Sequence, residues 1–211
     1  MSFIKAARKK QAEAIISALK KRNMNGYYCE TKEDCCELVL SMLAENSSVT
    51  WGGTESIKEC SIPQKLHESG KYNVIDRADY SPEEMKEYYK KAFSADYYLM
   101  STNAITLDGE LMNIDGNGNR VASLIFGPEK VIIVTGMNKV VPQIEDAYDR
   151  VRNVASPPNT IRLHKNTPCA ANGKCGNCYC DDCICNQIVV TRRSRDKDRI
   201  HVILVNENLG F

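Results

Sequence analysis

Apolar residues at Ile4, Ala7, Ala14, Ile15, Ala18 and Leu19 keep the spacing of one helical face and predict a helix over 2–22, its lysines and arginines turned to solvent. Gly26-Tyr-Tyr-Cys reads as a short strand. Thr31 with Asp34 three residues on is a capping signal for a helix running to Leu43. In SSVTWGGTES (47–56) a β-branched strand ends at Trp51, two glycines follow, and Thr54 stands where it caps the next helix. YNVID (72–76) is a further strand. Ser81-Pro82-Glu83-Glu84 places a cap, a first-turn proline and a box-closing glutamate in order, and opens a helix to about Ala95. DYYLMS (96–101) returns to strand.

Between 103 and 136 the punctuation is dense. Asp108-Gly109 between apolar flanks predicts a two-residue hairpin turn. Asp115-Gly-Asn-Gly-Asn119 is a second tight turn, after which Val121, Leu124 and Ile125 show helical spacing. Gly127-Pro128 stops that helix, and Val131–Thr135 is a buried strand. Pro142 opens a helix with Ile144, Tyr148, Val151 and Val154 on one side. IVVT (188–191) and IHVILV (200–205) read as a C-terminal hairpin whose charged tip, RRSRDKDR, is solvated. Strands alternating with helices predict an α/β fold with an open, largely parallel sheet.

The length of 211 residues suits one domain. The expected divisions are a core over 1–165 that includes the N-terminal helix, a cysteine-rich loop over 166–187, and the hairpin over 188–211 on the same domain. Twenty-eight basic against 27 acidic residues leave a net charge of +1, which gives no electrostatic case for nucleic acid. No apolar run approaches the ~18 residues of a membrane helix, and MSFIKAARKKQ has no secretory h-region. A cytoplasmic location is expected.

That location bears on the ten cysteines, six of which fall in CAANGKCGNCYCDDCIC (169–185). Reducing compartments disfavour a disulfide staple, which leaves a metal site or a thiol-rich, redox-labile loop. A zinc ion or an iron–sulfur cluster needs about four converging thiolates. The pairs Cys175/Cys178 and Cys180/Cys183 are CxxC units, but nearly contiguous ones. Cys29, Cys35, Cys36 and Cys60 sit in apolar segments and read as core thiols.

Open α/β sheets bind ligands where strands end and helices begin, and glycines there let backbone N–H groups approach an anion. Gly52, Gly53 and Thr54 fit that description. So does the turn from Asp115 through Gly116 to Asn119 and Arg120. Asn103, Thr106, Asp108, Asn113, Asp115, Asn119 and Arg120 all fall within 18 residues, a polar density beyond what turns require. No nucleophile elbow, P-loop or GxGxxG is present, so there is no nicotinamide or flavin fingerprint. His67, His164 and His201 are widely spaced and form no HExxH pair, and His201, alternating within a strand, reads as a packing residue.

WGGTES, STNAITLDGELMNIDGNGNRVASLIFGPEKVIIVTGMNKVVP, TPCAANGKC with ICN, and VILVNENLGF together resemble the LUD domain family, lactate-utilisation protein C type, in order over almost the whole chain. The resemblance implies a NagB/RpiA/CoA-transferase-like fold with its site at the carboxyl ends of the strands. It implies a subunit acting in oxidation of lactate, or a related 2-hydroxy acid, to pyruvate beside iron–sulfur partner subunits. The ligand would be a small anionic metabolite held at Gly52–Thr54 and Asn103–Arg120, with Lys139 of GMNKVVP nearby. The family's cysteine pattern falls on Cys169, Cys175, Cys178 and Cys185 as metal ligands, with Cys180 and Cys183 additional in this sequence. Homo-oligomerisation is an open expectation. The alternatives are a stand-alone transferase or isomerase for CoA esters or sugar phosphates, with Asp108 or Asp115 as acid–base groups, and a non-enzymatic module that senses metal or redox state.

Overall fold

The protein is described by a computed structural model covering residues 2–211. Among the described residues ten strands form two sheets. The larger contains β1 (Asn25–Cys29), β2 (Ser48–Trp51), β3 (Asn73–Ile75), β4 (Tyr97–Met100), β7 (Lys130–Gly136) and β10 (Ile200–Val205) in the order β1-β10-β7-β4-β2-β3, with every pairing parallel. The smaller contains β5 (Ala104–Thr106), β6 (Leu111–Asp115), β8 (Val140–Val141) and β9 (Gln187–Thr191) in the order β8-β5-β6-β9. The expected α/β architecture with a largely parallel sheet is present.

The parallel sheet is covered on both faces, which explains its continuous apolar runs. In β7, Ile132 and Val134 face a core built with α2 (Lys32–Met42), α3 (Glu55–Glu59) and α4 (Ile62–Ser69). Val131 and Ile133 face the other core, closed by α1 (Phe3–Lys21), α6 (Asn119–Ile125) and the β5–β6 hairpin. Cys29, Cys35, Cys36 and Cys60 lie in the first core as small apolar fillers. The helix starts follow their caps. Thr31 and Asp34 close a capping box on α2. The Ser81 N–H donates to Glu84 at 2.9 Å, ahead of a 3₁₀ turn that runs into α5 (Met85–Phe93).

Three expectations need correction. The segments 188–191 and 200–205 do not form a hairpin: β9 pairs antiparallel with β6, while β10 lies between β1 and β7. The burial of each strand explains why. IHVILV is buried almost throughout, as an interior parallel strand must be, whereas β9 is an edge strand with Ile188 and Val190 half exposed. The charged stretch between them is not solvated throughout, because Arg199 caps the end of α6 by donating to the Leu124, Ser123 and Pro128 carbonyls. The helix after Pro142 is also interrupted. Following α7 (Ile144–Arg150), Val151–Ala155 widens into a π turn before α8 (Ser156–Arg162), and Val154 points outward at 54% exposure. Pro157 and Pro158 have no N–H to give the carbonyls four residues back, so the α pattern cannot continue there.

Candidate functional site

β2, β4, β7 and β10 end together. Gly52–Thr54 follows β2, Ser101–Asn103 follows β4, Met137–Lys139 follows β7, and Asn206–Phe211 follows β10. Lys139 is the centre of what they build. It is 4% exposed, and its Nζ donates to Ser56 Oγ at 2.9 Å and Ser101 Oγ at 3.0 Å. Burial, helped by the nearby positive charges of Arg150 and Arg120, pushes its pKa down to about 7. Arg150 arrives from α7. Its Nε donates to the Asn138 carbonyl and one terminal nitrogen to the Asn103 and Phe211 carbonyls; the other terminal nitrogen makes no bond among the described residues. Desolvation lowers its pKa as well.

Arg120 is the framework of the polar stretch. It donates to Asn113 Oδ1 (2.6 Å), Asn103 Oδ1 (2.9 Å) and the Ile114 and Ser101 carbonyls, so both terminal nitrogens are committed. Asp115 stands 4.0 Å from its Nε and accepts the Arg120 and Val121 amides, fixing the start of α6. Because Arg120 claims the oxygen of Asn113, that fully buried amide is left with an Nδ2 that has no partner. A buried unpaired donor is rare enough to demand an acceptor that the chain does not supply.

The sequence-predicted residues therefore separate. Asn103, Asn113, Asp115, Arg120 and Lys139 come together. Gly52 packs against them: a side chain there would stand 2.7 Å from the Tyr98 hydroxyl and 3.3 Å from Arg120, whereas Gly53 faces open space. Thr54 precedes α3 but its side chain does not cap it. Gly116 makes room for Ile184 of the cysteine-rich loop. Asn119 lines a neighbouring recess of about 520 Å³ walled by Tyr88, Tyr89, Phe93 and Tyr98. Thr106 and Asp108 lie at the other end of the β5–β6 hairpin. Thr106 Oγ1 accepts the Glu110 amide, and the Asp108 carbonyl accepts Arg22 Nε at 2.6 Å. That turn has three residues rather than two, with Gly109 left-handed at φ +80°. Ser56, Ser101 and Arg150 were not legible as site residues, since each lies outside the glycine turns and the polar cluster.

Of the six clustered thiols, three are fixed by neighbours outside the cluster. Cys169 is buried against Thr160 and Thr167, Cys185 meets Ser156, and Cys175 accepts from Arg152 Nε at 3.2 Å. Cys178 and Cys180 lie 3.6 Å apart, sulfur to sulfur. Among the described residues no group of three or more His, Cys, Asp or Glu is arranged to hold a metal ion. Cys169, Cys175, Cys178 and Cys185 are therefore not drawn together as such a group among the described residues. The loop does touch the Arg120 cluster, since the Asn186 amide donates to the Asp115 carbonyl at 3.0 Å and its side chain to the Gly116 carbonyl. Among the described residues no helix is long and apolar enough to cross a membrane.

The sequence profile of the LUD domain matches residues 12–205. The chain belongs to the LUD domain family. A crystal structure of a DUF162 family protein from Deinococcus radiodurans is similar over 98% of this chain and 99% of that one, at 13% identity and a TM-score of 0.51. Partial likenesses extend to eIF2B beta from Chaetomium thermophilum (10% identity, 56% of this chain and 45% of that one, TM-score 0.38) and to eIF2B delta from the same organism (14% identity, 66% and 54%, TM-score 0.36). No curated protein matches the sequence. In this LUD chain the matched region holds every side chain around Lys139 except those of the segment after β10.

Proposed function

We propose that this LUD domain is a cytoplasmic subunit of the lactate-utilisation protein C type, acting in the oxidation of lactate or a related 2-hydroxy acid to pyruvate and binding the acid's carboxylate beside Lys139. One observation carries the reading. The side chains of Lys139, Arg150 and Arg120 converge at the carboxyl ends of the parallel strands, and among the described residues no Asp or Glu lies within ion-pair distance of Lys139 or Arg150, although the Phe211 oxygen accepts from Arg150 at 3.4 Å. Desolvation disfavours the charge on Arg150, and an arriving carboxylate offsets that cost. The free terminal nitrogen of Arg150 suits one carboxylate oxygen. The family's association with lactate utilisation supports the choice of acid.

The test is thermal unfolding with lactate, 2-hydroxybutyrate and pyruvate, set against CoA and sugar phosphates. A ligand at about 100 times its Kd adds roughly 2.7 kcal/mol. Stabilisation by the hydroxy acids that disappears in Arg150→Met is expected, together with loss of lactate-dependent growth when the gene is deleted. Stabilisation by CoA or sugar phosphates alone, with unchanged growth on lactate, would overturn the reading.

A further inference from the structure

The hydrogens around Lys139 specify more than a charge. Ser56 Oγ donates to the Leu209 carbonyl and Ser101 Oγ to the Thr102 carbonyl, both at 3.3 Å. Each hydroxyl has one hydrogen, so toward Lys139 each acts as an acceptor. Two acceptors match the two N–H bonds of a neutral amine. An ammonium would carry a third N–H, and nothing among the described residues accepts it. The neutral amine is thus fully bonded, with its lone pair left over. Gly210, at φ +56°, keeps the space beside it clear: a β-carbon there would stand 3.3 Å from Nζ and 2.8 Å from Ser56 Oγ. The depressed pKa agrees with this arrangement. An exposed lysine, with a pKa of ~10.4, holds only about one part in 2,500 as amine at pH 7.

We propose that Lys139 is a nucleophile that forms an imine with 2-oxo acids, the carboxylate of the acid resting on Arg150. The Nζ lone pair adds to the C2 carbonyl carbon, and a proton passes from nitrogen to the former carbonyl oxygen to give a carbinolamine. Loss of that oxygen as water, with one further proton, leaves the C=N bond. Ser56 and Ser101, already hydrogen-bonded to the nitrogen, are placed to relay those protons. No oxidant or reductant is consumed, and hydrolysis reverses the step. The site then distinguishes a 2-oxo acid, which it holds covalently, from a 2-hydroxy acid, which it holds only as an anion. This inference rests on the anion-site reading above and narrows its ligand class.

Pyruvate with cyanoborohydride tests it on the full-length protein, since hydride reduction of an imine leaves a permanent secondary amine. The expected result is one adduct, mapped by peptide mass spectrometry to Lys139, formed ahead of any exposed lysine and suppressed by excess lactate. Lys139→Arg and Lys139→Met should lose it. Pyruvate that raises the unfolding temperature without modifying Lys139 would overturn the imine and leave the anion site standing. An adduct on Lys139 that lactate does not suppress would also overturn it, as reactivity not organised by the site. Neither stabilisation nor adduct would remove both readings.

Discussion

Lys139 links stability to pH in a direction opposite to that of a paired lysine. Its folded pKa of about 7 lies below the unfolded value near ~10.4, so between those limits the unfolded chain binds more protons. This side chain therefore makes the protein more stable as pH rises from 7 toward 10, at up to about 1.4 kcal/mol per unit of pH. Urea denaturation at pH 7 and pH 9 should show that gain in the wild type and a flatter profile in Lys139→Met. Binding of a hydroxy acid runs the other way. A carboxylate beside Nζ raises the lysine's pKa, so complex formation takes up a proton above pH 7 and affinity falls as pH climbs. Calorimetry in buffers of different ionisation enthalpy measures that uptake. Arg120 presents a different residue-scale case, because its planar fork meets four acceptors at once. Lysine cannot reproduce that geometry, and Arg120→Lys should lower stability by about 2–4 kcal/mol in chemical denaturation, since a buried acceptor left unpaired costs about 1–3 kcal/mol.

At the scale of elements, turns and caps were read from the sequence more successfully than pairings. Thr31/Asp34, Ser81/Glu84 and the Asp108-Gly109 turn carry local chemistry that survives in any tertiary setting, and each appears at its place, the turn longer by one residue than the dipeptide predicts. The partner of a strand is a property of the sheet. IHVILV and IVVT sit close in sequence, and only the unbroken burial of the first marks it as interior to a parallel sheet. The same division governs the site. Glycines and a run of asparagines advertised the Arg120 cluster, whereas Ser56, Ser101 and Arg150 come from three elements and converge only in space. The hairpin offers a direct check. Gly109 is left-handed, and a β-carbon there would stand 3.2 Å from the Leu19 backbone nitrogen. Gly109→Ala should cost about 1–2 kcal/mol, as a left-handed conformation does for an L-residue, read as a lower urea midpoint with an unchanged slope.

Across the whole molecule the ten thiols fall into two populations. Cys29, Cys35, Cys36, Cys60 and Cys169 are buried, while Cys175, Cys178, Cys180, Cys183 and Cys185 are partly exposed on one loop. Thiol titration of the native protein should give five prompt groups and five that react only on unfolding. The loop is fastened to the Arg120 cluster through Asn186 and continues directly into β9, whose Gln187 pairs with Asp115. Modification of its thiols should therefore alter ligand-induced stabilisation, measured as the thermal shift before and after alkylation, more than does a chemical change on the remote Asp108 turn.

β10 lies between β1 and β7, with Asn25 beside His201 and Ile200 beside Val131. During synthesis, β1 and β7 therefore leave the ribosome long before the strand that joins them. Until residues 200–205 emerge, each presents an open row of backbone donors and acceptors along one edge. Emergence of residues 200–205, rather than local helix formation, sets the earliest moment at which the sheet can close. The nascent chain is consequently a natural client for holding chaperones, and a ribosome stalled within the cysteine-rich loop would deliver a product with two unsatisfied strand edges and no means of completing itself.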